Sequence, residues 1–131
     1  MPGYRGAGQA ALLRYNQQRF LFQQESGLTG RASIAVQLER VRGSHYPWGA
    51  SFQLYFTDAS GKPADPGAFE VDIQTSDTDA DAQFCTISAV TGPLNASYAA
   101  RLELPNFFAK FIRAYVKTLT NAVYVSVMAT R

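Results

Sequence analysis

The feature that most constrains the fold is an alternation of apolar and polar residues with a period of two. In residues 69–74, FEVDIQ, every second residue is apolar and the residues between are Glu, Asp or Gln. Successive side chains of a β-strand point to opposite faces, so this pattern predicts a strand with one buried and one wet face. Comparable runs predict seven strands in all, or eight with a short extra one: 32–40, 51–56, 68–75, 84–90, 98–104, 110–118 and 122–130.

The segments between these runs are rich in Gly, Pro, Asn and Asp, which are turn-forming residues. A length of 131 residues fits one domain, and 47 % apolar residues are enough for a core. Many short strands with regular turns are typical of an antiparallel sandwich or barrel. We therefore predict an all-β, jelly-roll-like antiparallel sandwich over residues 31–131, preceded by an extended or partly helical N-terminal arm over residues 1–30.

The predicted arm has two distinguishing features. It is rich in Gln and Gly, and its first 24 residues contain Arg5, Arg14 and Arg19 but no acid. Such an end either docks on an acidic surface or carries ordinary solubility charges. Its apolar cluster at residues 20–22 either caps the sandwich or lies on another subunit. We expect a chain without residues 1–24 to keep a folded sandwich.

Composition excludes several classes of protein. No apolar run reaches the length of a membrane span, and the N-terminus lacks the pattern of a signal peptide, so we expect synthesis in the cytoplasm and no membrane partner. A single cysteine, Cys85, excludes an internal disulfide framework and zinc sites built from several thiolates. The net charge of +2 and the absence of a nucleic-acid motif argue against nucleic acid as a partner.

The stretch SDTDADAQF places Asp77, Asp79 and Asp81 at alternate positions, as in the start of a calcium loop. The sixth position of such a loop is Gly and the twelfth is Glu, but here they are Ala82 and Ser88. The flanks also have the period of strands and not of helices. We therefore predict a hydrated acidic connection between two strands, with a looser all-oxygen cation site as the alternative, and no bound metal or cofactor.

The sequence does not contain a recognisable catalytic set. His45 is the single histidine, and Cys85 lies within a predicted strand, where we expect a small buried side chain. We therefore predict that the protein is not an enzyme. Tyr46 and Trp48 flank Pro47 in a loop. They either cap an open end of the sandwich, anchor a protein interface or form a platform for a sugar.

Three segments carry a resemblance to a known family: FEVDIQTSDTDADAQF, TGPLNASYAARLELPN and KFIRAYVKTLTNAVYVSVMAT. Their order resembles that of the jelly-roll cement, or decoration, proteins of tailed-phage capsids, of the kind found on Bordetella podophage-like particles. The resemblance covers residues 68–131 and rests on strand and turn residues, not on a catalytic signature.

The resemblance implies a structural virion protein, made in the host cytoplasm, that binds the outer surface of the major capsid protein shell and reinforces it. It also implies a homo-oligomer, with a dimer favoured over a trimer. The alternatives are a tail or head–tail connector protein and a carbohydrate-binding sandwich module. The residues that we expect at interfaces are Arg5, Arg14, Arg19, Phe20, Phe22, Tyr46, Trp48, Phe107 and Phe108.

Overall fold

The computed structural model describes residues 11–14, 16–39, 48–92, 94, 96–107 and 109–131. Apart from a 3₁₀ turn at Asp81–Gln83, the regular elements of these residues are strands. Their bounds are β1 (Ala11–Leu13), β2 (Gln18–Glu25), β3 (Arg31–Ala32), β4 (Val36–Leu38), β5 (Trp48–Thr57), β6 (Phe69–Ser76), β7 (Cys85–Thr91), β8 (Ala99–Phe107), β9 (Phe111–Leu119) and β10 (Tyr124–Thr130). None of these described residues belongs to a helix with the length and apolar character of a membrane span.

The strands form two sheets that face each other. The first sheet has the order β1-β4-β9-β6-β7, with β3 also paired to β9, and the second has the order β2-β10-β5-β8. Among the described strands, β1 and β4 are the one parallel pair, and all other pairs are antiparallel. The predicted all-β sandwich is therefore confirmed.

The pairing is nested along the chain. Without the short β1 and β3, eight strands remain, and the first pairs with the last: β2 with β10. The second pairs with the seventh, β4 with β9, and the third with the sixth, β5 with β8. The two central strands, β6 and β7, form the innermost hairpin. A long hairpin of nested pairs that wraps into two four-stranded sheets is the topology of a jelly roll.

The core lies between the inner faces of the two sheets. Phe52, Leu54 and Phe56 of β5 are fully buried, as are Val125 and Val127 of β10. The opposing sheet buries one face of β6 and β9 through Val71, Ile73, Ile112, Ala114 and Val116, which are also fully buried. The period of two predicted these faces correctly, because each strand alternates between the core and the outside.

The N-terminal segment departs from the predicted arm. Residues 18–25 form β2, an edge strand of the second sheet, and no helix occurs in residues 11–14 or 16–30. Leu13, Leu21 and Phe22 belong to the core of the protomer itself. For these residues the structure therefore shows packing against the sandwich of the same chain, and not against another subunit. A chain without residues 1–24 would lack these core side chains, so on the structure we expect it to lose its folded state.

Two details of the predicted strands are also wrong. The alternation in the 32–40 run predicts Ile34 on the same buried face as Val36 and Leu38, but Ile34 is 51 % exposed, because Ser33 and Ala35 face inward before β4 begins. Cys85, expected to be buried, is exposed. β7 lies at the end of its sheet, where no further strand or layer covers it in the part of the chain that the structure describes.

Candidate interaction surface

The expected interface residues do not come together in one place. Arg5, Tyr46 and Phe108 lie outside the described residues. The backbones of Trp48 and Phe107 pair where β5 and β8 meet, so the structure brings these two positions together.

The four expected residues on and before β2 have different surroundings. Arg14 lies before β2, with its Nε 3.5 Å from Glu39 Oε2, and its side chain is 61 % exposed. On β2 itself, Arg19 is exposed, Phe20 is 37 % exposed and Phe22 is 3 % exposed. Phe22 is thus a core residue and is not available to a partner. A register irregularity between β2 and β10 explains the difference, because it turns both Leu21 and Phe22 inward.

The outer side of the second sheet carries a surface that we call the neutral face. It consists of the outward residues of β5 and β10, none of which is charged: Ser51, Gln53, Tyr55, Thr57, Tyr124, Ser126, Met128 and Thr130. Each of these side chains is half-buried. Charged residues make up about a quarter to a third of an ordinary soluble surface, so two or three would be expected among eight positions. The neutral face has none.

The borders of the neutral face differ from each other. On one side, Phe20 of β2 lies opposite Met128 and extends the face with an exposed aromatic ring. On the other side, β8 contributes Arg101 and Glu103, whose side chains form an exposed ion pair at 3.4 Å. The neutral face is therefore open and aromatic towards β2 and charged towards β8.

The outer side of the first sheet is organised around charge. Arg113 of β9 is only 9 % exposed although it points away from the core. Its Nε donates to Gln74 Oε1 at 2.8 Å, its Nη1 donates to the Asp81 carboxylate, and its guanidinium carbon lies 4.1 Å from the centroid of the Phe84 ring. These contacts hold the 77–84 connection against the sheet.

Next to Arg113 lies a pair of carboxyl groups, Glu70 and Asp72, on the same side of β6. Asp72 is 5 % exposed, and its Oδ2 accepts a hydrogen bond from the Thr86 hydroxyl at 3.3 Å. Its Oδ1 is buried without a hydrogen-bond partner. Burial, followed by hydrogen bonding to Glu70 and the negative charge of Glu70, raises the pKa of Asp72 to about 6, whereas Thr86 and Lys117 oppose the rise.

The acidic stretch at 77–81 is an exposed connection, as predicted. Within the described residues, no group of three or more His, Cys, Asp or Glu side chains is placed to hold a metal ion. Asp77 and Asp79 are exposed, and Asp81 points to Arg113. The alternation that resembles a calcium loop instead places one carboxylate beside a buried guanidinium.

The chemistry available elsewhere on the described surface is limited. Cys85 Sγ lies 3.9 Å from the backbone oxygen of Gln83, and His45 lies outside the described residues. A depression between residues 26–29 and residues 119–124 is lined by small, hydroxyl, amide and apolar side chains. A second depression, beside Gly49 and Pro105, has Glu103 and Arg131 on its border. Neither depression contains a nucleophile paired with a base.

Sequence reasoning placed the polar residues of β6 on a wet face but missed the partners that bury them. Gln74 and Arg113 are 39 positions apart, so their contact depends on the pairing of β6 with β9. The neutral face has a signal in the sequence, because SFQLYFT and YVSVMAT both lack charge at their outward positions. Only the topology shows that these two strands are neighbours.

Taken together, the fold and the surface define a jelly-roll sandwich whose two outer faces differ in charge. Compared with known proteins, the chain matches no family model and no curated sequence.

Proposed function

We propose that this chain is a capsid cement, or decoration, protein that binds the outer surface of a major capsid protein shell as a homo-oligomer, with a dimer favoured. The observation that carries the proposal is the neutral face, eight outward strand positions without a charge. The jelly-roll topology and the resemblance of residues 68–131 to phage cement proteins support it. In this proposal the protein works by binding and not by catalysis.

A sheet face of this kind is suited to lie on another protein. Uncharged side chains lose less hydration free energy on burial than charged ones, so a partner can cover them without supplying an ion pair for each. Tyr55 and Tyr124 add aromatic area and hydroxyl groups, as is common at interfaces. Phe20 at the border adds an exposed ring next to Met128.

The size of the face predicts a weak contact for each copy. The seven residues of β10 span about 24 Å, and the two strands of the face, each about 4.8 Å wide, span about 10 Å. The resulting footprint of about 240 Å² is well below the roughly 800 Å² per partner of a standard interface. Attachment of a single copy would be weak, and repetition of the contact in an oligomer would make it stable by avidity.

Copy number tests the proposal most directly. We expect purified native particles to contain the protein at close to one copy per major capsid protein, measured by quantitative mass spectrometry. A few copies per particle would instead support a tail or connector part. Absence from particles would refute the virion proposal.

A pair of variants tests the surface. Gln53→Lys places a charge in the middle of the neutral face, whereas Thr118→Lys places one on the exposed part of β9 on the opposite side of the sandwich. We expect Gln53→Lys to lower particle occupancy at least tenfold, which corresponds to about 1.4 kcal/mol, and Thr118→Lys to leave it unchanged. Equal occupancy for both variants would exclude the neutral face as the attachment surface.

One observation favours a second function, glycan binding. Tyr55 and Tyr124 are diagonal neighbours across β5 and β10, and Gln53 and Ser126 supply hydrogen-bonding groups beside them. A carbohydrate-binding protein would show saturable quenching of tyrosine fluorescence by a soluble oligosaccharide, and Tyr55→Ala would abolish it. A cement protein would show no such change.

A further inference from the structure

The unpaired edge of β7 is a second surface suited to binding, and the proposed role of the neutral face does not account for it. β7 (Cys85–Thr91) is the last strand of its sheet and, among the described residues, pairs along one side only, with β6. A strand in this position presents unpaired backbone N–H and C=O groups, which are a template for another strand.

The other sheet edges in the described part of the chain are protected. β8 contains Arg101, Glu103 and Pro105, and β2 contains Arg19 and Glu25. β1 has only three residues. Charges, proline and short length are the usual means by which proteins prevent edge-to-edge pairing. β7 has seven residues, CTISAVT, with neither a charge nor a proline.

The side chains of β7 are also suited to pairing. Four of its seven residues are β-branched, which favours extended backbone. Ile87 is 41 % exposed, and among the large apolar side chains of the described residues only Ile34 is more exposed. A strand added at this edge would cover part of Ile87 and Val90 and pair the free backbone groups.

We propose that β7 pairs antiparallel with β7 of a second copy of this chain, about a twofold axis at Ala89. In this register Ser88 lies opposite Val90 of the second copy, and both residues face inward, since they lie opposite Ile73 and Val71 in their own sheet. The two inner faces and the two outer faces then become continuous. The first sheets of the two copies thus form one continuous sheet across the axis.

The register is restricted by an irregularity in β7. Its pairing with β6 shifts between Ile73 and Gln74, so that Thr86 faces outward while Ser88 faces inward. An axis at Ser88 would place the outward Thr86 opposite the inward Val90 of the second copy. An axis at Ala89 avoids this conflict and keeps residues 87–91 paired within the strand.

Charge is compatible with a second copy as the occupant. The nearest buried acid is Asp72, one strand away and opposite Ala89. Across the axis, the two Asp72 residues would lie three strand spacings apart, about 14 Å. This exceeds the Debye length of about 8 Å at physiological ionic strength, so their repulsion is largely screened. Because β7 has no charged residue, pairing two copies of it places no like charges opposite each other. Twofold dimers are also the commonest oligomers.

This inference does not rest on the proposed function, because it concerns the purified protein and is tested without particles. Sedimentation velocity over increasing concentration should show a monomer–dimer equilibrium for the natural sequence. Ala89→Lys should weaken it at least tenfold, and Ala99→Lys, at the equivalent edge of β8, should leave it unchanged. A natural sequence that stays monomeric throughout, or equal effects of both lysines, would overturn the proposal.

A disulfide experiment tests the axis directly and does not require that Ala89→Lys folds. Cys85 is the only cysteine, so Cys85→Ser gives a thiol-free background. In that background Ala89→Cys should form a covalent dimer on mild oxidation, because the two Ala89 positions face each other across the axis. Ala99→Cys in the same background is the matched control and should remain a monomer. If both form dimers at the same rate, the contact is random collision and the pairing is refuted.

Discussion

Replacement of Asp72 by Asn should stabilise the protein at neutral and alkaline pH. Asp72 is 5 % exposed, and its pKa is raised from 3.8 to about 6 by burial and by Glu70. The folded protein therefore disfavours the ionised form. Asn has the same shape, carries no charge and can donate a hydrogen bond to Glu70, as a protonated Asp72 would.

The magnitude follows from linkage. A rise of about two pKa units corresponds to at most about 3 kcal/mol. Solvent around the partly exposed Glu70 screens part of this effect, so we expect the variant to gain about 1–2 kcal/mol at pH 8. For a protein of 131 residues this is a rise in Tm of about 3–8 °C.

The sign of the pH dependence is specific. Below pH 3.8 Asp72 is protonated in both states and contributes nothing. Between pH 3.8 and 6 the folded state binds a proton that the unfolded state does not, so the free energy of unfolding falls as pH rises. Above pH 6 the loss is complete. The advantage of Asp72→Asn should thus be small near pH 4 and largest above pH 7.

Urea unfolding at pH 4, 6 and 8 measures this difference, and an unchanged m-value shows that the unfolding transition is the same. The control is Asp77→Asn, which removes an exposed carboxylate just beyond the end of β6 and for which we expect no comparable gain in stability. Glu70→Gln removes the second cause of the shift and should also stabilise at pH 8. If Asp72→Asn is less stable than the natural sequence at pH 8, the account of the carboxyl pair is refuted.

Three further predictions concern the packing. Gly49→Ala should lower the free energy of unfolding by about 2 kcal/mol, because a Cβ there would lie 2.5 Å from Pro105 O. Thermal unfolding measures this loss, and the control variant Ser51→Ala should not show it. Arg113→Met should lower the free energy of unfolding by about 1–3 kcal/mol, because Arg113 is buried. Asp81→Asn should lower it by less than about 1 kcal/mol, because Asp81 is exposed. Equal losses for the two variants in urea unfolding would contradict this. Deletion of residues 1–24 should abolish cooperative unfolding, because it removes Leu13, Leu21 and Phe22 from the core, and a retained circular-dichroism transition would show otherwise.

The local alternation predicted the core strands well. Phe52, Leu54 and Phe56 are buried because the period of two is a property of the strand itself. β2 was missed for a local reason as well. Its irregular pairing with β10 turns two consecutive residues, Leu21 and Phe22, inward, and this breaks the pattern of alternation.

The surface was harder to predict, because it depends on which strands are neighbours. The apolar residues of β7 suggested a buried strand, but its position at the end of the sheet leaves Cys85 and Ile87 exposed. The contacts of Arg113 with Gln74 and Asp81 join residues more than 30 positions apart. Neither position in the sheet nor a distant partner is encoded in a short window of sequence.

The nested pairing of the strands also sets an order of folding. The hairpin of β6 and β7 closes a loop of eight residues, 77–84, whereas β2 and β10 are about 100 residues apart. Closing the longer loop directly would cost about 2 kcal/mol more in closure entropy. If the inner pairs form first, each later pair closes only a short gap. We therefore expect the strand pairs to form from the centre of the chain towards its ends.

In native-state hydrogen exchange, the amides of β2 should open before those of β6. The last strand to dock would then be the one whose Phe20 borders the neutral face, so completion of that surface would mark the end of folding.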